Sequence, residues 1–359
     1  PFSALFEAID SFILTQSTVT TRGCHIRDAV DMKRVMITVM IALIPVTLFG
    51  MWNVGSQHFI SNGETASFIQ CFIYGLLKWL PITIVTYVSG LFVEVLFAQK
   101  RGHEVAEGFF VTGMILPLIL PPDIPLWIVS VATMFAVLFA KEVFGGTGYN
   151  FLNPALVARA FIFFAYPSVI SGDGVWIAEK PDAISGATPL AMVANGEITQ
   201  LPSISDLFFG FIPGSIGETS VLCILLGAIL LIFTGVGSWR IMVSTITGGL
   251  LSGLLFNVCV DSNVYQMAAL PAYYHILLGG FMFGAVFMAT DPVTAPITNG
   301  GKIVYGFLIG FITVFIRVFN KGYVEGMMLA ILLMNVLTPL INYVSIQLNI
   351  NRRMNRVKK

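Results

Sequence analysis

Val35-Met36-Ile37-Thr38-Val39-Met40-Ile41-Ala42-Leu43-Ile44-Pro45-Val46-Thr47-Leu48-Phe49-Gly50-Met51-Trp52 is an unbroken run without one charged side chain. Coiled as a helix, such a run covers most of a hydrocarbon layer roughly 30 Å thick and satisfies its own backbone hydrogen bonds there. Further along the chain, similar runs recur near 77–97, 106–120, 126–142, 153–169, 219–235, 240–260, 274–290, 303–319 and 326–348, ten in all. The third, fourth and fifth are short or interrupted by Pro117 and Pro154. The stretch 66–76 reads as a separate interfacial or re-entrant piece. The expected fold is an all-α polytopic membrane protein of about ten spans, some of them broken or half helices.

Composition agrees. Of 359 residues, 56% are hydrophobic and 11% charged, with zero net charge. A soluble domain carries about 25% charge and cannot hide this much apolar surface. A soluble enzyme, a disordered chain and a nucleic-acid binder are excluded. Cys24, Cys71, Cys223 and Cys259 form no CxxC pair, which argues against an iron–sulfur cluster or structural zinc held by this chain alone.

Basic residues set the orientation. With the N-terminus in the cytoplasm, 14 of the 19 Lys and Arg fall inside. Both termini are expected in the cytoplasm, and the acidic stretch 170–218 outside. The chain divides into a segment 1–34, a first membrane half 35–169, the outer loop 170–218, a second membrane half 219–348 and a basic tail 349–359. Five spans per half gives the halves opposite orientations, the layout of an inverted repeat.

Four segments have the chemistry of sites. Phe144-Gly145-Gly146-Thr147-Gly148-Tyr149-Asn150-Phe151-Leu152-Asn153-Pro154 combines three glycines suited to positive φ with an asparagine and proline suited to starting a helix. It reads either as a plain loop or as a ligand-facing turn. Irregular backbone at membrane depth must be buried in protein or line a cavity, which favours the second reading. Thr290-Asp291-Pro292-Val293-Thr294 offers oxygens to a cation or a polar ring, although Asp291 also suits a solvated helix end. Glu94 and Glu142 are carboxylates inside spans and candidates for function by default. Gly90, one turn before Glu94, makes a notch for either a flat ring or a neighbouring helix. In the outer loop, Asp182-Ala183-Ile184-Ser185-Gly186-Ala187-Thr188 is by itself a turn with a hydroxyl cluster.

That last stretch resembles the motif through which FMN is attached, by a phosphoester, to a threonine hydroxyl. From about Arg22 onward the chain is similar to the B subunit of the bacterial Na+-translocating NADH:quinone reductases. The similarity extends through Glu107-Gly108-Phe109-Phe110-Val111-Thr112, Ala140-Lys141-Glu142-Val143-Phe144-Gly145-Gly146-Thr147-Gly148, Arg159-Ala160-Phe161, Ala289-Thr290-Asp291-Pro292-Val293 and Glu325-Gly326-Met327-Met328-Leu329-Ala330. The resemblance implies covalent FMN on Thr188, within Asp182, Ser185, Gly186 and Ala187. It implies noncovalent riboflavin, set against Asn150, Asn153 and Asp291, and ubiquinone as substrate beside Gly90 and Glu94. It further implies Na+ as the transported ion, for which Glu94, Glu142 and Asp291 are path candidates. The implied setting is the bacterial inner membrane, with an outer-side flavin subunit and an NADH-oxidising subunit as partners. Two alternatives stay open: the homologous D subunit of an Rnf complex linking ferredoxin and NAD, and a channel or transporter for a small polar solute.

Overall fold

The structure, a computed structural model, describes residues 20, 22–24, 32–101, 108–171, 175–179, 186–197, 201–261, 265–320 and 322–357. The described residues contain helices and connecting coil only. In the first half these are α1 (Met32–Ser61), α2 (Phe68–Arg101), α3 (Phe109–Leu118), α4 (Leu126–Ala136) and α5 (Pro154–Ala165). Short helices α6 (Pro167–Ile170), α7 (Pro189–Asn195) and α8 (Ile204–Phe209) follow in the loop region. The second half holds α9 (Val221–Phe233), α10 (Trp239–Cys259), α11 (Tyr274–Leu277), α12 (Phe281–Phe283), α13 (Asn299–Phe319) and α14 (Met327–Val357). α4 and α12 each run on into one π turn, Val137–Lys141 and Gly284–Met288.

Six helical stretches are long and apolar enough to cross a membrane, and α3, α5 and α9 are shorter apolar helices. The ten runs all contain helix, but the short ones differ in part from those expected: the fourth belongs to the 19-residue stretch Leu126–Phe144, and the sixth, which has no proline, gives the 13-residue α9. The third span is the ten-residue α3. The eighth is broken at Gly279 and Gly280 into α11 and α12.

One expectation needs correction. Residues 66–76 are not a separate piece, because α2 runs without a break from Phe68 through Lys78 and Pro81. Lys78 stays inside this helix because its ammonium reaches Asp123 and Glu179, both at 2.7 Å. Separately, α14 continues as helix through Val357, into the basic segment 349–359.

Glycines bring the long helices close. A Cβ on Gly75 of α2 would lie 1.7 Å from the Met51 carbonyl oxygen of α1, and one on Gly310 of α13 would lie 2.1 Å from that of Thr245 on α10. Small residues of this kind drive helix association where lipid offers no hydrophobic gain. The main core is built from both halves, from Leu43 and Leu116 to Phe283, Tyr305 and Ile331.

Candidate functional site

The loop after α4 folds as its residues demand. Gly145, Gly146 and Gly148 have φ of 125°, 97° and 91°, a region that side chains disfavour. The Asn153 side chain caps α5 by accepting from the Ala155 N–H at 3.0 Å, with Pro154 in the first turn. The Asn150 amide donates to the Leu152 carbonyl at 3.2 Å.

Asn150, Asn153 and Pro154 wall a cavity between the two halves. Asn150, Asn153 and Asp291 share its wall, although Asp291 is far away in sequence. Asp291 is half-buried and accepts from the Val293 N–H and the Thr294 hydroxyl, each at 3.1 Å. Thr147 contributes a buried hydroxyl with no partner. Lys141 also lines this cavity, a role that the sequence reading missed. Its position in an apolar span was the available signal.

A second cavity, of about 590 Å³, has Thr188 in its wall with Arg159, Phe163, Trp176, Tyr323 and Glu325. Asp182 and Ser185 lie outside the described residues. Gly186 and Ala187 are buried, which leaves Thr188 as the half-exposed end of the motif. Thr188 caps α7, its hydroxyl oxygen accepting from the Ala191 N–H at 3.2 Å. The oxygen serves this cap as an acceptor, so esterifying the hydroxyl leaves the cap intact.

Arg159 is fully enclosed. It donates to Glu218 at 2.9 Å and to Glu325, and Glu218 also accepts from Ser215. A buried cation is tolerable when paired in this way. The sequence reading left Arg159, Trp176 and Tyr323 without a role, although a lone arginine within a span was a legible signal.

A single helix borders both cavities. Pro154, at the start of α5, lines the first, and Arg159 lines the second. Five residues of helix separate them by roughly 8 Å along the axis.

The remaining candidates are placed differently. Gly90 faces the Phe109 ring, where an added Cβ would lie 1.9 Å from Cζ. The notch expected for a flat ring is thus filled by a ring of this chain. Glu94 is buried and ion-paired with Lys141. Glu142 is paired with Arg101 at 3.0 Å.

Against this geometry, the sequence profile of the NQR2, RnfD, RnfE family matches residues 19–351. The chain belongs to that family. Among similar proteins, the B subunit of the Na(+)-translocating NADH-quinone reductase of Chromohalobacter salexigens is 48% identical, the match covering 99% of this chain and 92% of that one. The corresponding protein of Azotobacter vinelandii is 46% identical over 98% and 94%. That of Pseudoalteromonas atlantica is 47% identical over 99% and 94%. The family match takes in both cavities and the loop between the halves.

Proposed function

We propose that this chain is the B subunit of a bacterial Na+-translocating NADH:quinone reductase. In this reading Thr188 holds covalent FMN in the second cavity and riboflavin occupies the first. Ubiquinone is reduced on the side of Gly90 and Glu94, coupled to Na+ export. The observation that carries the reading is α5, whose Pro154 lines the first cavity and whose Arg159 lines the second. Bound flavins supply one-electron chemistry, and the protein sets their spacing and surroundings.

The chain's own groups have defined tasks. The Asn153 oxygen is used by the helix cap and the Asn150 amide by Leu152, which leaves a donor on Asn153 and an acceptor on Asn150. That pair matches the carbonyl and N–H edge of a flavin imide, and the unpartnered Thr147 hydroxyl adds a further contact. Thr188 presents its hydroxyl at the mouth of a cavity with aromatic Phe163, Trp176 and Tyr323 in its walls. For Na+, Glu94 and Glu142 are already balanced by Lys141 and Arg101. Asp291 is the carboxylate among the three candidates with no cation against it among the described residues, which favours it on an ion path.

Partners follow from this reading: an outer-side flavin subunit and an NADH-oxidising subunit, in the inner membrane, with both termini cytoplasmic. The test is flavin fluorescence of the denatured chain on a gel. Wild type, made in cells containing the flavin transferase, is expected to fluoresce, and Thr188→Val to insert but remain dark. A dark wild-type band would overturn the FMN assignment and favour the channel reading. Quinone-dependent, Na+-stimulated turnover of the assembled complex separates this reading from the Rnf alternative.

A further inference from the structure

The wall of the first cavity carries two charged side chains, Asp291 and Lys141. The Asp291 carboxylate is held by its own turn. Lys141 is different, because its counterion lies behind the wall. Its ammonium donates to Glu94 Oε1 on α2, and both side chains are buried, with 4% and 3% exposed. Glu94 is its one hydrogen-bond partner among the described residues, so the ammonium keeps further N–H groups to donate. The other oxygen of Glu94, Oε2, is buried with no hydrogen-bond partner among the described residues.

Nearby charges do not take over this role. Glu142, next in sequence, is engaged by Arg101 through its carboxylate and its carbonyl. The Phe109 ring also lies against the ammonium, its centroid 6.0 Å away. Phe109 in turn fills the Gly90 notch. Lys141 therefore belongs to the wall of the proposed flavin cavity and, through Glu94 and Phe109, adjoins the Gly90–Glu94 face proposed for quinone.

We propose that Lys141 is the positioning charge that couples these two sites. Adding an electron to a ring in the cavity adds negative charge in a low-dielectric wall, and a fixed ammonium there stabilises it. Glu94 competes for the same ammonium and weakens that stabilisation. A quinol, whose hydroxyl can donate to the orphan Oε2, draws Glu94 away from Lys141 and makes the flavin site easier to reduce. Lys141 acts through its charge and transfers no proton in this scheme.

This inference rests on the proposed riboflavin site, and the experiment separates the two. The assembled complex is purified as wild type, Lys141→Met, Lys141→Arg and Glu94→Gln. Extractable riboflavin is measured, and the midpoint potential of that flavin is titrated optically. The covalent flavin band on a gel reports that each variant has folded and inserted. Lys141→Met is expected to lower the potential, Glu94→Gln to raise it, and Lys141→Arg to stay near wild type. Shifts of the same sign in Lys141→Met and Glu94→Gln, or no shift while riboflavin remains bound, would overturn the coupling role. Absence of extractable riboflavin from the wild type would instead sink the reading beneath it. Where Lys141→Met fails to assemble, Glu94→Gln alone still decides, because a lowered or unchanged potential contradicts the proposal.

Discussion

The two membrane halves hold the same steric arrangement with different electrostatics. In the first half, Gly90 of α2 receives the Phe109 ring at the start of α3, and the Lys141 ammonium lies 6.0 Å from that ring. In the second half, Gly249 of α10 receives the Phe281 ring at the start of α12, and the Arg317 guanidinium lies 5.8 Å from it. Under a five-plus-five division these are the same three spans. The partners of the cations differ. Lys141 is held by a side chain, Glu94. Four residues after Gly249, the matching position is Gly253, packed on His275. Arg317 instead donates to backbone carbonyls of His275, Leu278 (2.9 Å) and Glu325 (3.2 Å).

A side-chain counterion can be pulled away from its cation, and backbone carbonyls fixed by their own helices cannot. The first arrangement borders a cavity and is free to respond to a ligand. The second ties α11, α13 and the turn before α14 together and reads as a structural lock.

The largest expected effect tests the lock. Arg317→Met takes the guanidinium away from three backbone carbonyls, of which that of Glu325 also accepts from the Met327 N–H, and should destabilise the protein by about 3–5 kcal/mol, seen as a large fall in Tm in detergent. A small change there would erase the distinction between the halves. Next, Lys141→Met alone leaves Glu94 buried without a cation, while adding Glu94→Gln should restore part of the loss. A double-mutant cycle on thermal unfolding should give a coupling of about 1–3 kcal/mol. No second side-chain change is expected to rescue Arg317→Met.

Third, Gly90→Ala and Gly249→Ala each drive a Cβ into a ring, at 1.9 Å and 2.7 Å. Each is expected to cost about 1–3 kcal/mol from overpacking, with Gly90→Ala the worse. Gly90→Ala should also raise the KM for quinone, because Phe109 and the Lys141 above it must shift. Gly249→Ala should leave that KM unchanged.

The smallest effect concerns the loop outside both arrangements. Segment 175–179 is tied to the first half by Lys78 and Asp123, by the Tyr74 hydroxyl on Glu179, and by His58 against the Ala178 carbonyl at 2.8 Å. Hydrogen bonds from Lys78 and then Tyr74 hold the Glu179 carboxyl below its ordinary range. A depressed folded-state pKa stabilises at neutral pH, and the contribution fades as acid takes the pH down through that value. Lys78→Met is expected to cost less than about 1 kcal/mol, because the carboxylate is exposed. Faster hydrogen exchange confined to 175–179, in the variant or on acidification, would show it.

Much of this was legible in the sequence because it is local. Hydropathy marked every span, proline and glycine marked the broken ones, and Gly145, Gly146 and Gly148 announced their positive φ. Asn153 and Pro154 announced the start of α5. Asn150, Asn153 and Asp291, grouped from the sequence, share one cavity wall, to which Lys141 also contributes. The Gly90 notch was visible, and its occupant was not, since nothing near Gly90 in the chain indicates that Phe109 fills it.

Local sequence settles the solvent this chain lives in, the places where its helices break and the one threonine that stands at the end of a flavin-type motif. Those features follow from transfer free energy and backbone sterics, which act over a few neighbouring residues. Which polar groups meet is a matter of tertiary packing. Lys141 finds Glu94 across 47 positions and Arg159 finds Glu325 across 166. Such pairings depend on how close two helices approach. That distance is set by small residues on both partners at once, so neither segment encodes it alone.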